Sequence, residues 1–145
     1  MARKIQITFD AASARTLADF WAEALGYVRQ PPPSEFDSWE EFAIDKGIPA
    51  EDWEKYDALV DPDGSGPRIL FQKVPEAKSA KNRVHLDVKV TIRGATDAKR
   101  RAAIDQEAER LVGLGATEIE DFDNGDSDGV WTVMHDPEGN EFCIH

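Results

Sequence analysis

Two short stretches constrain this chain more than any others: Asp61-Pro62-Asp63-Gly64 in its middle and Asp136-Pro137-Glu138-Gly139 near its end. In each, proline presets φ for a tight turn and glycine tolerates the positive φ that closes it, so each reads as a hairpin connection between apolar runs. Each also follows the same preamble, an alternating strand and then an amphipathic helix ending in Leu-Gly. A turn that recurs after the same series of elements signals duplication, and the fold must then be built from two copies of one module.

The first copy opens at residues 4–10, where Ile5, Ile7 and Phe9 alternate with Gln6, Thr8 and Asp10. Period two predicts a half-buried strand whose other face is polar and open. Ser13 offers an N-cap, Leu17, Phe20, Trp21, Ala24 and Leu25 recur at helical spacing, and Gly26 stops the helix. Residues 27–29 read as a short strand before the stiff Pro31-Pro32-Pro33 break. Residues 35–56 have no counterpart in the second half and read as an insertion. There, Ser38-Trp39-Glu40-Glu41 forms a capping box for a helix over 39–46, and 49–56, bearing Trp53, adds another turn or two. Strands at 58–60 and 68–74 complete the module, and 75–82 is the connector.

The second copy opens with Val84, Leu86, Val88 and Val90 against His85, Asp87 and Lys89. A helix capped at Thr96 or Asp97 carries an apolar stripe of Ile104, Ala108, Leu111 and Val112 and ends at Leu114-Gly115. Strands follow at 117–120, 130–135 and 142–144. The acidic loop with Asp121, Asp123, Asp126 and Asp128 lacks the spacing and terminal glutamate of a calcium loop, and reads as solvated. The expected fold is α+β in a single domain: two β-α-β-β-β modules, about 4–75 and 83–145, forming a curved mixed sheet around a central cavity with the helices outside.

A formal charge of -12 and a pI near 4.6 argue against nucleic acid and against an acidic membrane surface, since both select Lys and Arg. Cys143 is the single cysteine, so no internal disulfide forms and a reducing compartment is expected. No apolar run reaches the length of a signal peptide or a membrane span, which points to the cytoplasm. Neither a phosphate-cradling glycine loop nor a serine nucleophile elbow is found.

Three stretches carry a family likeness: Ala18-Asp19-Phe20-Trp21 with Leu25-Gly26-Tyr27, Asn82-Arg83-Val84-His85-Leu86-Asp87, and 136–142 around the last turn. Together with the module order they resemble the vicinal oxygen chelate superfamily, which includes glyoxalase I, extradiol dioxygenases and the bleomycin- and fosfomycin-resistance proteins. The run at 61–67 and Phe71-Gln72-Lys73-Val74-Pro75-Glu76 look most like bacterial glyoxalase-like domains.

The resemblance implies ligand positions on the first and last strands of each module, which fall at Gln6, Gln72, His85 and Cys143. Two amides, an imidazole and a thiol suit Mn, Fe or Ni poorly, so no resident metal is expected, with zinc the ion such a set would best accept. It further implies a homodimer with a small-molecule pocket, lined here by Gln6, Thr8, Gln72, His85 and Asp87 with Trp39, Trp53 and Trp131. Two functions fit: a glyoxalase- or lyase-type enzyme acting on a small carbonyl or thiol-linked compound, or a metal-free protein that sequesters a toxic or antibiotic ligand.

His85 and Asp87 stand two residues apart on one strand face, an arrangement that serves either proton transfer or a plain ion pair. In the enzyme reading they move the proton while the glutamine amides hold an oxyanion. Cys143 reads as core. Trp39 and Trp53 read equally as a lid or as anchors of their own helices. Asp61 and Asp136 read as turn formers.

Overall fold

The computed structural model describes residues 2–124 and 129–145; Asp126 and Asp128 of the acidic loop lie outside the described residues. The chain forms two compact units, Met1–Ala77 and Lys78–His145. Each is a four-stranded mixed sheet with a helix packed on one face, in the order strand, helix, then three strands.

In the first unit, β1 (Gln6–Ala11), β4 (Arg68–Lys73), β3 (Tyr56–Val60) and β2 (Val28–Arg29) lie side by side in that order, with β1 parallel to β4 and the other pairs antiparallel. Helix α1 (Ala14–Leu25) starts where Ser13 Oγ accepts the Thr16 amide at 3.3 Å and stops at Gly26, whose φ of +67° is left-handed. Its Leu17, Phe20 and Trp21 are buried against the sheet, and Phe9 stacks on Phe71 and packs tilted against Trp21, with ring centroids 5.3 Å from each. Arg29 ties the edge strand down by ion pairs to Asp19 on α1 and Asp57 on β3. The insertion folds as α2 (Trp39–Asp45) and a 3-10 helix (Ala50–Lys55). Ser38 Oγ caps α2 through the Glu41 amide at 3.1 Å, whereas the Glu41 carboxylate reaches past Ser38 to the Asp37 amide at 2.9 Å.

The second unit repeats the plan with β5 (Leu86–Val88), β8 (Glu141–Ile144), β7 (Val130–His135) and β6 (Thr117–Asp123), β5 being parallel to β8. Helix α3 (Asp97–Gly113), capped by Thr96, buries Ile104, Ala108 and Leu111. Val112, expected on that stripe, is 46% exposed, because the core takes one residue per helical turn here and Val112 falls beside it. Strand β5 is shorter than the alternation predicts: it pairs with β8 over three residues only, and Val84, beyond that pairing, is 81% exposed.

Both Asp-Pro turns are knotted by their first aspartate. Asp61 accepts the amides of Asp63, Ser65 and Gly66, and these bonds, Asp63's first, hold its carboxyl below the ordinary range. Asp136, only 2% exposed, accepts the amides of Glu138 and Asn140 and both carboxylate oxygens meet the Asn140 side-chain amide. Gly64 and Gly139 close the turns at φ +70° and +84°, where a β-carbon is strained.

Glu141 fastens the lead-in segment to β8: it accepts the Asn82 amide at 3.0 Å and pairs with Lys78 at 3.1 Å. The Asn82 bond first, and then its own backbone amide and Lys78, hold its carboxyl down at about 2 against the opposing effect of burial. A carboxyl held below its unfolded value contributes stability that is complete above about pH 4.5 and fades as pH falls toward 2. Glu141→Gln is therefore expected to cost about 1–2 kcal/mol at pH 7. The cost should shrink in acid, and urea melts at pH 7 and pH 3 measure the difference.

Candidate functional site

Strand parity sorts the side chains of the second sheet. Along β7 and β8, Val130, Thr132, Met134, Phe142 and Ile144 point into the core under α3, leaving Trp131, His135, Glu141 and Cys143 on the opposite, open face. Cys143 is thus half-buried on the open face and not core as its residue type suggested; apolar neighbours on both sides force it there. Its register partner on the parallel strand is Asp87.

His85, Asp87 and Cys143 come together, each offering one donor atom, with all three atoms within 4.8 Å of one another. The imidazole Nε2 lies 3.4 Å from Asp87 Oδ1. The Cys143 thiol donates to the Asp87 carboxylate; burial first, and then the Asp87 charge and this bond, push the thiol up to about 11. These groups line an open cleft of about 380 Å³ together with Thr91, Arg100, Gly129, Val130, Trp131 and His145. Its aromatic wall is Trp131, stacked on the cross-strand Phe122 at 4.9 Å with ring planes 8° apart.

A thiol so raised should resist alkylation. At pH 8, iodoacetamide is expected to label Cys143 in metal-free protein about a hundredfold more slowly than free cysteine. Asp87→Asn should speed it; mass spectrometry over a pH series reads both.

On the first unit the register departs from simple repeat counting. Phe71-Gln72 corresponds to Phe142-Cys143, and because Gln72 faces Asp10 as Cys143 faces Asp87, the residue matching His85 is Thr8 and not Gln6. Gln6 lies about 13 Å along the strand from the residue that faces Gln72. Its amide oxygen accepts from Arg68 at 2.5 Å, while Gln72 donates to Asp10 at 2.6 Å. Gln6, Thr8, Asp10 and Gln72 share the open face of the first sheet. Trp39 and Trp53 are each fixed through the indole N–H, to Gln30 O at 2.8 Å and Ile48 O at 2.9 Å, with about half or a third of each residue still exposed.

Arg100 was not among the expected site residues, yet a signal for it existed. It stands one helical turn before Ile104, so it continues the buried stripe 104, 108, 111 at its N-terminal end, where a cation is out of place. Among the described residues no helix is long and apolar enough to cross a membrane.

Comparison with known proteins agrees with this geometry. The family model described as "Glyoxalase-like domain" matches residues 6–145. A possible glyoxalase from Bacillus cereus is 11% identical with a TM-score of 0.60, covering 99% of this chain and 98% of its own. The fosfomycin resistance protein FosX from Listeria monocytogenes, in a mutant complexed with Mn(II) and a dihydroxypropylphosphonic acid, is 12% identical with a TM-score of 0.63 over 100% of this chain and 90% of its own. A glyoxalase/bleomycin resistance protein/dioxygenase family enzyme from Burkholderia phytofirmans is 16% identical with a TM-score of 0.57, over 97% of this chain and 94% of its own. No curated protein sequence matches significantly. Duplicated strand-helix-strand units, the paired Asp-Pro turns and a family match across nearly every residue leave one assignment: the chain belongs to the glyoxalase-like domain family of the vicinal oxygen chelate superfamily.

Proposed function

We propose that this protein is a lyase- or isomerase-type enzyme that moves a proton on a small carbonyl or thiol-linked compound, held in the cleft of the second unit. The reading rests on one observation: imidazole, carboxylate and thiol converge within 4.8 Å inside a cleft of ligand size. In this reading Asp87 orients the His85 ring and stabilises its cation, and the ring nitrogen turned away from Asp87 takes or returns the substrate proton. Cys143 stays a thiol at neutral pH and lines the cleft without attacking.

The donor set also bears on metal. FosX was seen with Mn(II), an ion that favours oxygen ligands, whereas one nitrogen, one oxygen and one sulfur fit zinc better. His85, Asp87 and Cys143 would hold such an ion, Cys143 giving up its proton to do so. Bound there, it would supply a Lewis acid for a carbonyl oxygen. Elemental analysis of purified protein, with activity measured before and after chelation, tests this half of the reading. By its family resemblance we read the protein as a homodimer, and by its single cysteine as cytoplasmic.

The wide mouth of the cleft and the 3.4 Å His85–Asp87 separation favour a second reading, a binding protein that holds a ligand without turnover. A proton-transfer dyad must tighten to about 2.6–3.2 Å in the working complex. The readings part in D2O: small aldehydes, ketones and hemithioacetals are incubated with the protein and followed by proton NMR. Loss of a C–H signal only with active protein supports the enzyme; binding shifts without exchange across the panel support sequestration and end the first reading.

A further inference from the structure

Resting on the ligand cleft just proposed, the geometry points to its substrate class: we infer that Arg100 is an anion anchor and that the ligand carries a carboxylate or a similar oxyanion. Arg100 lines the cleft that holds His85, Asp87, Cys143 and Trp131. Among the described residues its buried Nε has no hydrogen-bond partner, and its Nη1 lies 3.8 Å from Asp97, beyond hydrogen-bond distance. A buried charged donor left without an acceptor is costly, and the chain carries a large excess of carboxylates that would relieve it. Yet Asp87, which lines the same cleft, is engaged by the imidazole and the thiol instead.

The neighbouring arginine shows what a structural guanidinium looks like in this unit. Arg101 Nε donates to Asp105 at 2.7 Å, and its Nη2 donates to Thr132 at 2.6 Å and lies 3.2 Å from Asp121. Arg101 Nη1 is also buried without a partner, but its Nε and Nη2 are both held, whereas among the described residues the Arg100 guanidinium has only the 3.8 Å ion pair with Asp97. A guanidinium presents parallel N–H groups, which match the two oxygens of a carboxylate or phosphonate. A ligand anchored there lies against the Trp131 face and extends toward His85, so the anionic end is fixed while the carbonyl or thioether end meets the dyad.

The test uses the whole chain, labelled with 15N, and follows the arginine Nε–H and tryptophan indole signals. Sodium acetate and sodium methylphosphonate are titrated against acetamide, with sodium chloride holding ionic strength constant. Expected is a saturable shift of Arg100 Nε–H with one or both anions, none with acetamide, and an unmoved Arg101. Arg100→Gln should weaken the accompanying Trp131 indole shift at least about tenfold, and Arg100→Lys, which keeps the charge without the fork, should restore it only in part. Which anion binds tighter separates a carboxylate ligand from a phosphonate one. The anchor is overturned if Arg100 does not move with either anion, or if acetamide moves Trp131 as strongly as acetate. That outcome leaves the proton-exchange assay to stand by itself; anion binding with no exchange on any compound would instead sink the enzyme reading and spare the anchor.

Discussion

Asp136→Ala is expected to cost about 3 kcal/mol of stability, a fall in Tm of about 10 °C for a chain of this size, read by thermal unfolding. The carboxylate is 2% exposed and serves four donations: the amides of Glu138 and Asn140, and two from the Asn140 side chain. Alanine leaves these donors buried without acceptors and opens a void between β7 and β8 at the root of their hairpin. Asp136→Asn should cost about half as much, since one oxygen can still accept the two backbone amides while its own amide opposes that of Asn140. The equivalent change at Asp61 should be milder, because its turn lies in solvent where water replaces the lost acceptor. Equal losses at both turns would refute this account.

His85→Ala should reduce turnover on any compound the protein converts by 10²–10⁴, about 3–5 kcal/mol of barrier, as loss of a proton-transfer group does. Asp87→Asn should cost less, near 10–10², since it disturbs only the orientation and charge of the ring. The split between kcat and KM is the informative readout. A transition-state role lowers kcat with KM almost unchanged, while a ligand contact raises KM alone. If His85→Ala leaves kcat intact, the proton passes elsewhere.

Much of the fold was legible because its signals are local. Ser13 and Gly26 bracket α1 through chemistry confined to one turn, and both Asp-Pro motifs close the hairpins they announced. The pairing of residues distant in sequence was harder to read. Gln6 and Thr8 share a strand face, so a slip of two residues leaves the polar pattern intact, and only the hydrogen-bonded register shows Thr8 at the position matching His85. Cys143 was misread by weighing residue type over parity, although Phe142 and Ile144 already claimed the core side. Arg100 escaped notice because a long side chain can start on a buried stripe and end in a cleft.

In each unit the strand formed last in sequence is not at the margin of its sheet: β4 lies between β1 and β3, and β8 between β5 and β7. The first strand of each unit therefore has no neighbour of its own until that later strand arrives, about sixty residues on in either unit. During synthesis the sheet of the first unit can close once β4 has left the ribosome, whereas that of the second waits for residues 141–144. Loss of that final segment should thus leave β5 and the β6–β7 hairpin unjoined, and slow closure over so long a loop makes nascent chains stalled just before it prone to aggregate.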